Sequence, residues 1–150
     1  MFDSVTIAEY MLSLAYEKRI VLNMTKIQKL LYLVYGKFMA ESGKQISKES
    51  PKAWPYGPVF PRVHKKVKLD NVKTLDDPYF AEISQDKDLN QAIIGVIDRY
   101  SKFSATQLSD WSHSKGGPWD RTTKKEGFKW GVTEIPNEYI REYFTKFDLL

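Results

Sequence analysis

Apolar residues recur at helical intervals along most of the chain. The capping-box spacing Thr6-Ile-Ala-Glu9 is followed by Ile7, Met11, Leu14 and Ala15, which predicts a first helix from about Ile7 to Lys18. A second box, Thr25-Lys-Ile-Gln28, opens the strongest pattern in the chain, a helix over about 25–42 that stops at Gly43. Ile27, Leu30, Leu31, Val34 and Phe38 form its stripe. Tyr32, Leu33, Tyr35 and Met39 carry the apolar character almost all the way round. A helix of that kind belongs at the centre, wrapped by others. Gly36 in its middle costs about 1 kcal/mol relative to alanine, and a neighbour packed close on the backbone would compensate.

Periodicity lapses over residues 44–60, where Pro51, Pro55, Gly57 and Pro58 fit a short irregular hairpin. Pro61 can begin a helix to about Leu69. Residues 70–85 read as an exposed connection with a turn at Asp76-Asp77-Pro78. Asp86 then caps a helix whose buried face is Leu89, Ile93, Ile94, Val96 and Ile97. Ser104-Ala-Thr-Gln107 is a third capping box, opening a short helix to about His113. Gly116-Gly117 breaks it, and Pro118 starts another turn. The stretch GFKWGVTEIP at 127–136 reads as a short strand. Asn137 or Pro136 leads into a last helix with Tyr139, Ile140, Tyr143, Phe144 and Phe147. The expected fold is mostly α: a single helical domain over 1–150, built around a central buried helix at about 25–42, with a small β-hairpin near 44–60.

Composition narrows the functional classes. The chain has 150 residues, enough to bury a core, and no cysteine. Disulfides, thiol nucleophiles and thiolate metal sites are thereby excluded. An acid stands in MFDSVTIAEYML where a secretory signal carries basic residues. The longest strongly apolar run, LLYLVY at 30–35, is far short of the ~20 residues of a membrane helix. A soluble cytoplasmic protein is the expectation, without membrane contact. The net charge of +4 is unevenly spread, because residues 1–75 hold 13 Lys/Arg against 6 Asp/Glu. The excess is sharpest at 44–68, where Lys44, Lys48, Lys52, Arg62, Lys65, Lys66 and Lys68 face Glu49 alone. Such a patch is either a solvated face or an attractor of nucleic acid or an acidic protein surface. In the last case high salt slows association.

Catalytic chemistry finds little support. The two histidines, His64 and His113, stand in no metal-ligand spacing. Ser109, Asp110 and His113 lie within one helical turn, whereas a triad converges from separate elements onto an oxyanion hole. Phosphate-binding glycine loops are absent, and no carboxylate pair stands out. The chain is read as a non-enzyme that needs no cofactor and no metal.

The densest cluster of unusual residues is WPYGPVFPRV at 54–63. As structure, Pro-Tyr-Gly-Pro is a stiff turn, since proline restricts φ and glycine permits what a Cβ forbids. As function, a rigid turn flanked by Trp54, Tyr56 and Phe60 displays aromatic anchors at small entropic cost. The two roles are compatible.

Three stretches together resemble the Panacea domain, the SocA-like antitoxin domain of bacterial and phage toxin–antitoxin systems. TKIQKLLYLVYG at 25–36 is similar to the family's central helix. AWPYGPVFPRVHKKV at 53–67 resembles its YGPV turn and following helix. FSATQLSDWSHSKGGPW at 103–119 resembles its late SH…PW segment. The resemblance implies an antitoxin that neutralises a cognate toxin, encoded next to it, by direct protein contact. It marks Gln28, Lys29, Leu30, Leu31 and Tyr32, then Tyr56, Gly57, Pro58 and Val59, then Ser112, His113, Pro118 and Trp119. Tyr32, Tyr56, His113 and Trp119 are the expected lining of a partner groove, each joining an apolar body to a polar tip. Delivery of a partner to a protease, and nucleic-acid binding through the basic 44–68 region, stay open as alternatives.

Overall fold

A computed structural model describes residues 1–147. It is mostly helical: α1 (Ser4–Glu17), α2 (Met24–Ser42), β1 (Lys52–Trp54), β2 (Gly57–Val59), α3 (Pro61–Lys66), α4 (Ala81–Gln85), α5 (Lys87–Tyr100), α6 (Ala105–Ser112), α7 (Pro118–Thr123) and α8 (Asn137–Thr145). A 3₁₀ turn, Pro78–Phe80, leads into α4. No helix among the described residues is long and apolar enough to cross a membrane.

Helix α2 is central, as its all-round apolar pattern predicts. It packs against α1, α3, α5, α6, α8 and β2, and the whole run from Ile27 to Gly36 is buried. Gly36 has the close neighbour its cost demanded: a Cβ there would fall within the Phe144 ring of α8. Phe144 in turn meets Tyr32 and Trp111 at ring distances of 5.4 and 6.2 Å.

Helix starts and stops follow local chemistry, with two exceptions. Asp86 caps α5 through Leu89 N, Ser104 and Gln107 form the reciprocal box of α6, and Gly43 closes α2. The expected boxes of the first two helices do not form. Asp3 caps α1 and Asn23 caps α2 instead. Glu9 accepts from Tyr79 Oη at 2.6 Å, and Gln28 is drawn into the interior, where its amide serves another segment. Each helix begins before its expected box, so Thr6 and Thr25 lie inside the first turn and not at the N-cap.

Three further expectations change. The 70–85 connection is partly helical, because Phe80 and Ile83 are buried and pull the 3₁₀ turn and α4 onto α1 and α5. Within 44–60 the hairpin covers only Lys52–Val59, with Lys52 opposite Val59 and Trp54 opposite Gly57. The 127–136 stretch is no strand. It runs beside β1, where Ala53 N donates to Thr133 O at 3.1 Å and Ile135 N to Pro51 O at 2.9 Å. Gly127 and Gly131, at φ 81° and 73°, turn the backbone too sharply to continue pairing, leaving one bridge, Lys52–Glu134.

Candidate functional site

The unusual composition of WPYGPV is explained by what its carbonyl groups meet. Six residues of backbone with two prolines can make few ladder bonds, so the turn's oxygens need other donors. Three separated elements supply them. Trp119 Nε1, from the first turn of α7, donates to Trp54 O at 2.8 Å. His113 Nε2, just past α6, lies 2.9 Å from Pro55 O. Ser109 Oγ donates to Tyr56 O at 3.2 Å. Lys29 Nζ, from α2, donates to Pro58 O at 2.9 Å. Directly before Lys29 on α2, Gln28 brackets Phe60: its Nε2 donates to Phe60 O at 3.1 Å and its Oε1 accepts from Phe60 N at 2.8 Å.

Gly57 sits at the centre with φ 108°, a conformation an L side chain rarely adopts. A Cβ there would lie 2.5 Å from Ser112 Oγ and 3.2 Å from Lys29 Cε. The QK pair of α2, the SH pair of α6 and the Trp of α7 are thus one device. They clamp the hairpin from beneath, in van der Waals contact with a residue that has no side chain.

His113 has a second contact, its Nδ1 lying 2.6 Å from Ser109 O. Both ring nitrogens therefore face carbonyl oxygens, which only accept. The Ser109 hydroxyl and the His113 ring each meet backbone oxygens and not one another, so no nucleophile–base pair forms between them.

Lys29 is 1% exposed and has a single acceptor, and burial pushes its ammonium down to about 8. The unfolded chain then binds more protons than the folded one between about pH 8 and the ordinary lysine value of 10.5. Stability accordingly rises with pH in that window, by roughly 1–2 kcal/mol between pH 8 and 9.5. Urea unfolding at both pH values should show this gain in the wild type and lose it in Lys29→Met. An identical pH dependence in the two proteins would assign the effect elsewhere. The window ends below the tyrosines: Tyr32 and Tyr35 are raised by burial and oppose the trend at higher pH.

The predicted site residues divide by depth. Tyr32 at 1% exposure and Phe60 at 0% are interior packing, not groove lining, because α2 is covered on the face that carries Tyr32. Leu30, Leu31, Val59, Ser112 and Pro118 are buried as well. Tyr56 is 68% exposed at the tip of the turn. Trp54, His113 and Trp119 are half-buried around it. The rings of His113 and Trp119 are 4.2 Å apart, and Trp54 meets His64 of α3 at 5.3 Å. An aromatic surface results, with Tyr56 at its apex and α3 along one side.

Sequence reasoning missed part of this surface. Trp130 is 52% exposed and 6.0 Å from Trp119, and Phe128 supports it edge-on at 4.7 Å. The available signal was the pattern Gly-Phe-Lys-Trp-Gly-Val, large apolar residues set between glycines. The basic region is also less free than its composition suggests. Arg62 pairs with Asp3 at 3.2 Å, and Glu49 accepts from Arg62 N and Ser4 Oγ, both at 2.6 Å.

Residues 27–120 match the family described as antitoxin SocA-like, Panacea domain. The matched span runs from α2 into α7 and contains every side chain that clamps the turn. Antitoxin SocA of Caulobacter vibrioides (strain NA1000 / CB15N) is 28% identical over 156 aligned residues, which cover 95% of this chain and 82% of that protein. No solved structure matches the chain.

Proposed function

Because the chain belongs to the SocA-like Panacea antitoxin family, we propose that it neutralises a cognate toxin by direct protein contact through the aromatic surface around the YGPV turn. It does so in the cytoplasm, without a cofactor and without catalysis, and its partner is encoded beside it. The observation that carries this reading is the clamp. Five carbonyls of one short segment are held by side chains from α2, α6 and α7, while the Tyr56 ring they leave at the tip faces solvent. A surface aromatic on a rigid backbone gives contact area with little ordering cost on binding. Tyr32 and Phe60 act through packing, and Trp54, His113 and Trp119 offer their exposed edges.

The protein-partner reading is favoured over nucleic acid by the same geometry. Arg62 is engaged by Asp3, and α3 has only six residues, so the basic region offers a short, partly neutralised strip and no continuous phosphate track.

Growth rescue tests the proposal. The product of the adjacent reading frame is expressed alone and together with this protein, and the pair is then co-purified. Toxicity relieved by a stable complex is expected. Tyr56→Ala should weaken that complex about 30-fold, on the order of 2 kcal/mol, with an unchanged melting temperature, since the ring is mostly outside the fold. Full affinity in a folded Tyr56→Ala protein would remove the turn from the interface.

A further inference from the structure

The aromatic surface does not end where the family match ends. Residues 128–133 lie beyond it, yet they are built onto the turn. Gly131 N donates to Ala53 O at 3.3 Å, Ala53 N donates to Thr133 O at 3.1 Å, and the Trp130 ring packs 6.0 Å from Trp119. The segment is itself a tight loop. Val132 N and Thr133 N both donate to Lys129 O, and Thr133 Oγ1 accepts from Lys129 N at 2.9 Å. Its backbone groups are met within the loop and by Ala53, and two of its three large apolar side chains point out: Trp130 is 52% exposed and Val132 65%, while Phe128 is half-buried. Trp130 packs beside the half-buried Trp119, and exposed apolar side chains set on such a surface mark an interaction site.

We infer that the 128–133 loop is the partner-selecting half of this surface, and that it takes an apolar knob bordered by acidic groups on the toxin. The inference rests on the toxin-binding reading of the turn and adds which part of the surface chooses the toxin. Of the clamp residues in the matched span, Gln28 and Lys29 are buried and set the shape of the turn without touching a partner, while the half-buried His113 and Trp119 offer only their edges. The loop is outside that span and faces outward, so its side chains vary the contact without disturbing the clamp. Charge around the patch sets the partner's rim. Lys65 and Lys66 on the exposed side of α3, Lys115 in the turn before α7 and Lys129 in the loop make no ion pair among the described residues. Glu126, Glu134 directly after the loop, and Asp110 on α6 make no ion pair among the described residues either, whereas Asp120 is taken by Lys124 at 3.0 Å and by Gly116 N. The balance is positive, and it favours an acidic rim. At the seam between turn and loop, the Trp54 indole N–H lacks an acceptor.

The test uses the full chain and the product of the adjacent reading frame as probe, with a toxin paired to another family member as the off-target probe. Affinities are measured for wild type, Tyr56→Ala, the double variant Trp130→Ser/Val132→Thr, and a graft of the off-target antitoxin's equivalent loop into positions 128–133. The double variant should lose about 30-fold or more on the cognate toxin at an unchanged melting temperature, and the graft should gain affinity for the off-target toxin. If Tyr56→Ala weakens binding while the double variant and the graft leave both affinities as they were, the loop does not select the partner and the turn reading stands. If a complex forms and none of the variants changes it, both fail. The absence of any complex overturns the toxin-binding reading and this inference with it.

Discussion

Gly57→Ala should lower the free energy of unfolding by about 3 kcal/mol and cost toxin binding through the same change. Two separate effects add. A φ of 108° strains any residue with a Cβ, at about 1–3 kcal/mol. The new methyl group also meets Ser112 Oγ at 2.5 Å and the Lys29 side chain just beyond 3 Å, an overpacking of about 1–3 kcal/mol. Relief at Ser112 separates them. In a Ser112→Ala background the hydroxyl is gone, so Gly57→Ala should cost about 1–2 kcal/mol less there than in the wild type, while the backbone share stays. Urea unfolding of the four proteins measures the cycle. Strict additivity would show that Ser112 does not press on the turn. A loss below 1 kcal/mol would show that the turn is not held in the conformation described.

The α2–α8 contact offers the second large effect. Phe144→Ala removes a buried ring from the cluster with Tyr32 and Trp111 and should cost about 3–5 kcal/mol. Gly36→Ala gains up to about 1 kcal/mol of helix propensity but drives a methyl group into the same ring, for a net loss of about 1–2 kcal/mol. Combined, the two should be far from additive. With the ring absent, the alanine at 36 fills space in place of overlapping it, and the double variant should be no less stable than Phe144→Ala alone. A double variant destabilised by the sum of the two losses would mean that α8 does not rest on the glycine.

Both pairs show how little of a side chain's role lies in its own neighbourhood. Asp86, Ser104 and Gly43 were legible because a cap acts within four residues of itself. The all-round apolar face of 25–42 was legible because burial repeats along the helix. Gln28 was misread by the same local logic. Its spacing from Thr25 suits a capping box, yet its amide spans 32 positions to pair with Phe60. Residues 70–85 looked like an exposed connection because their two buried positions, Phe80 and Ile83, are too few to show a period. The 127–136 stretch has strand composition, and its glycines turn it into a loop.

By itself, then, the sequence determined a mostly helical chain around one buried helix, a proline-stiffened turn, and the family to which both belong. The first two are properties of short-range spacing, which local backbone energetics write directly into residue order, and the family is carried by the likeness of three stretches to its members. Only the tertiary structure decided that Gln28, Lys29, Ser109, His113 and Trp119 share one task, that Tyr32 and Phe60 lie inside, and that Trp130 stands exposed beside Trp119. Each of those facts depends on which distant carbonyl or ring arrives opposite a side chain. That is set by the packing of whole helices, which residue spacing along the chain does not specify.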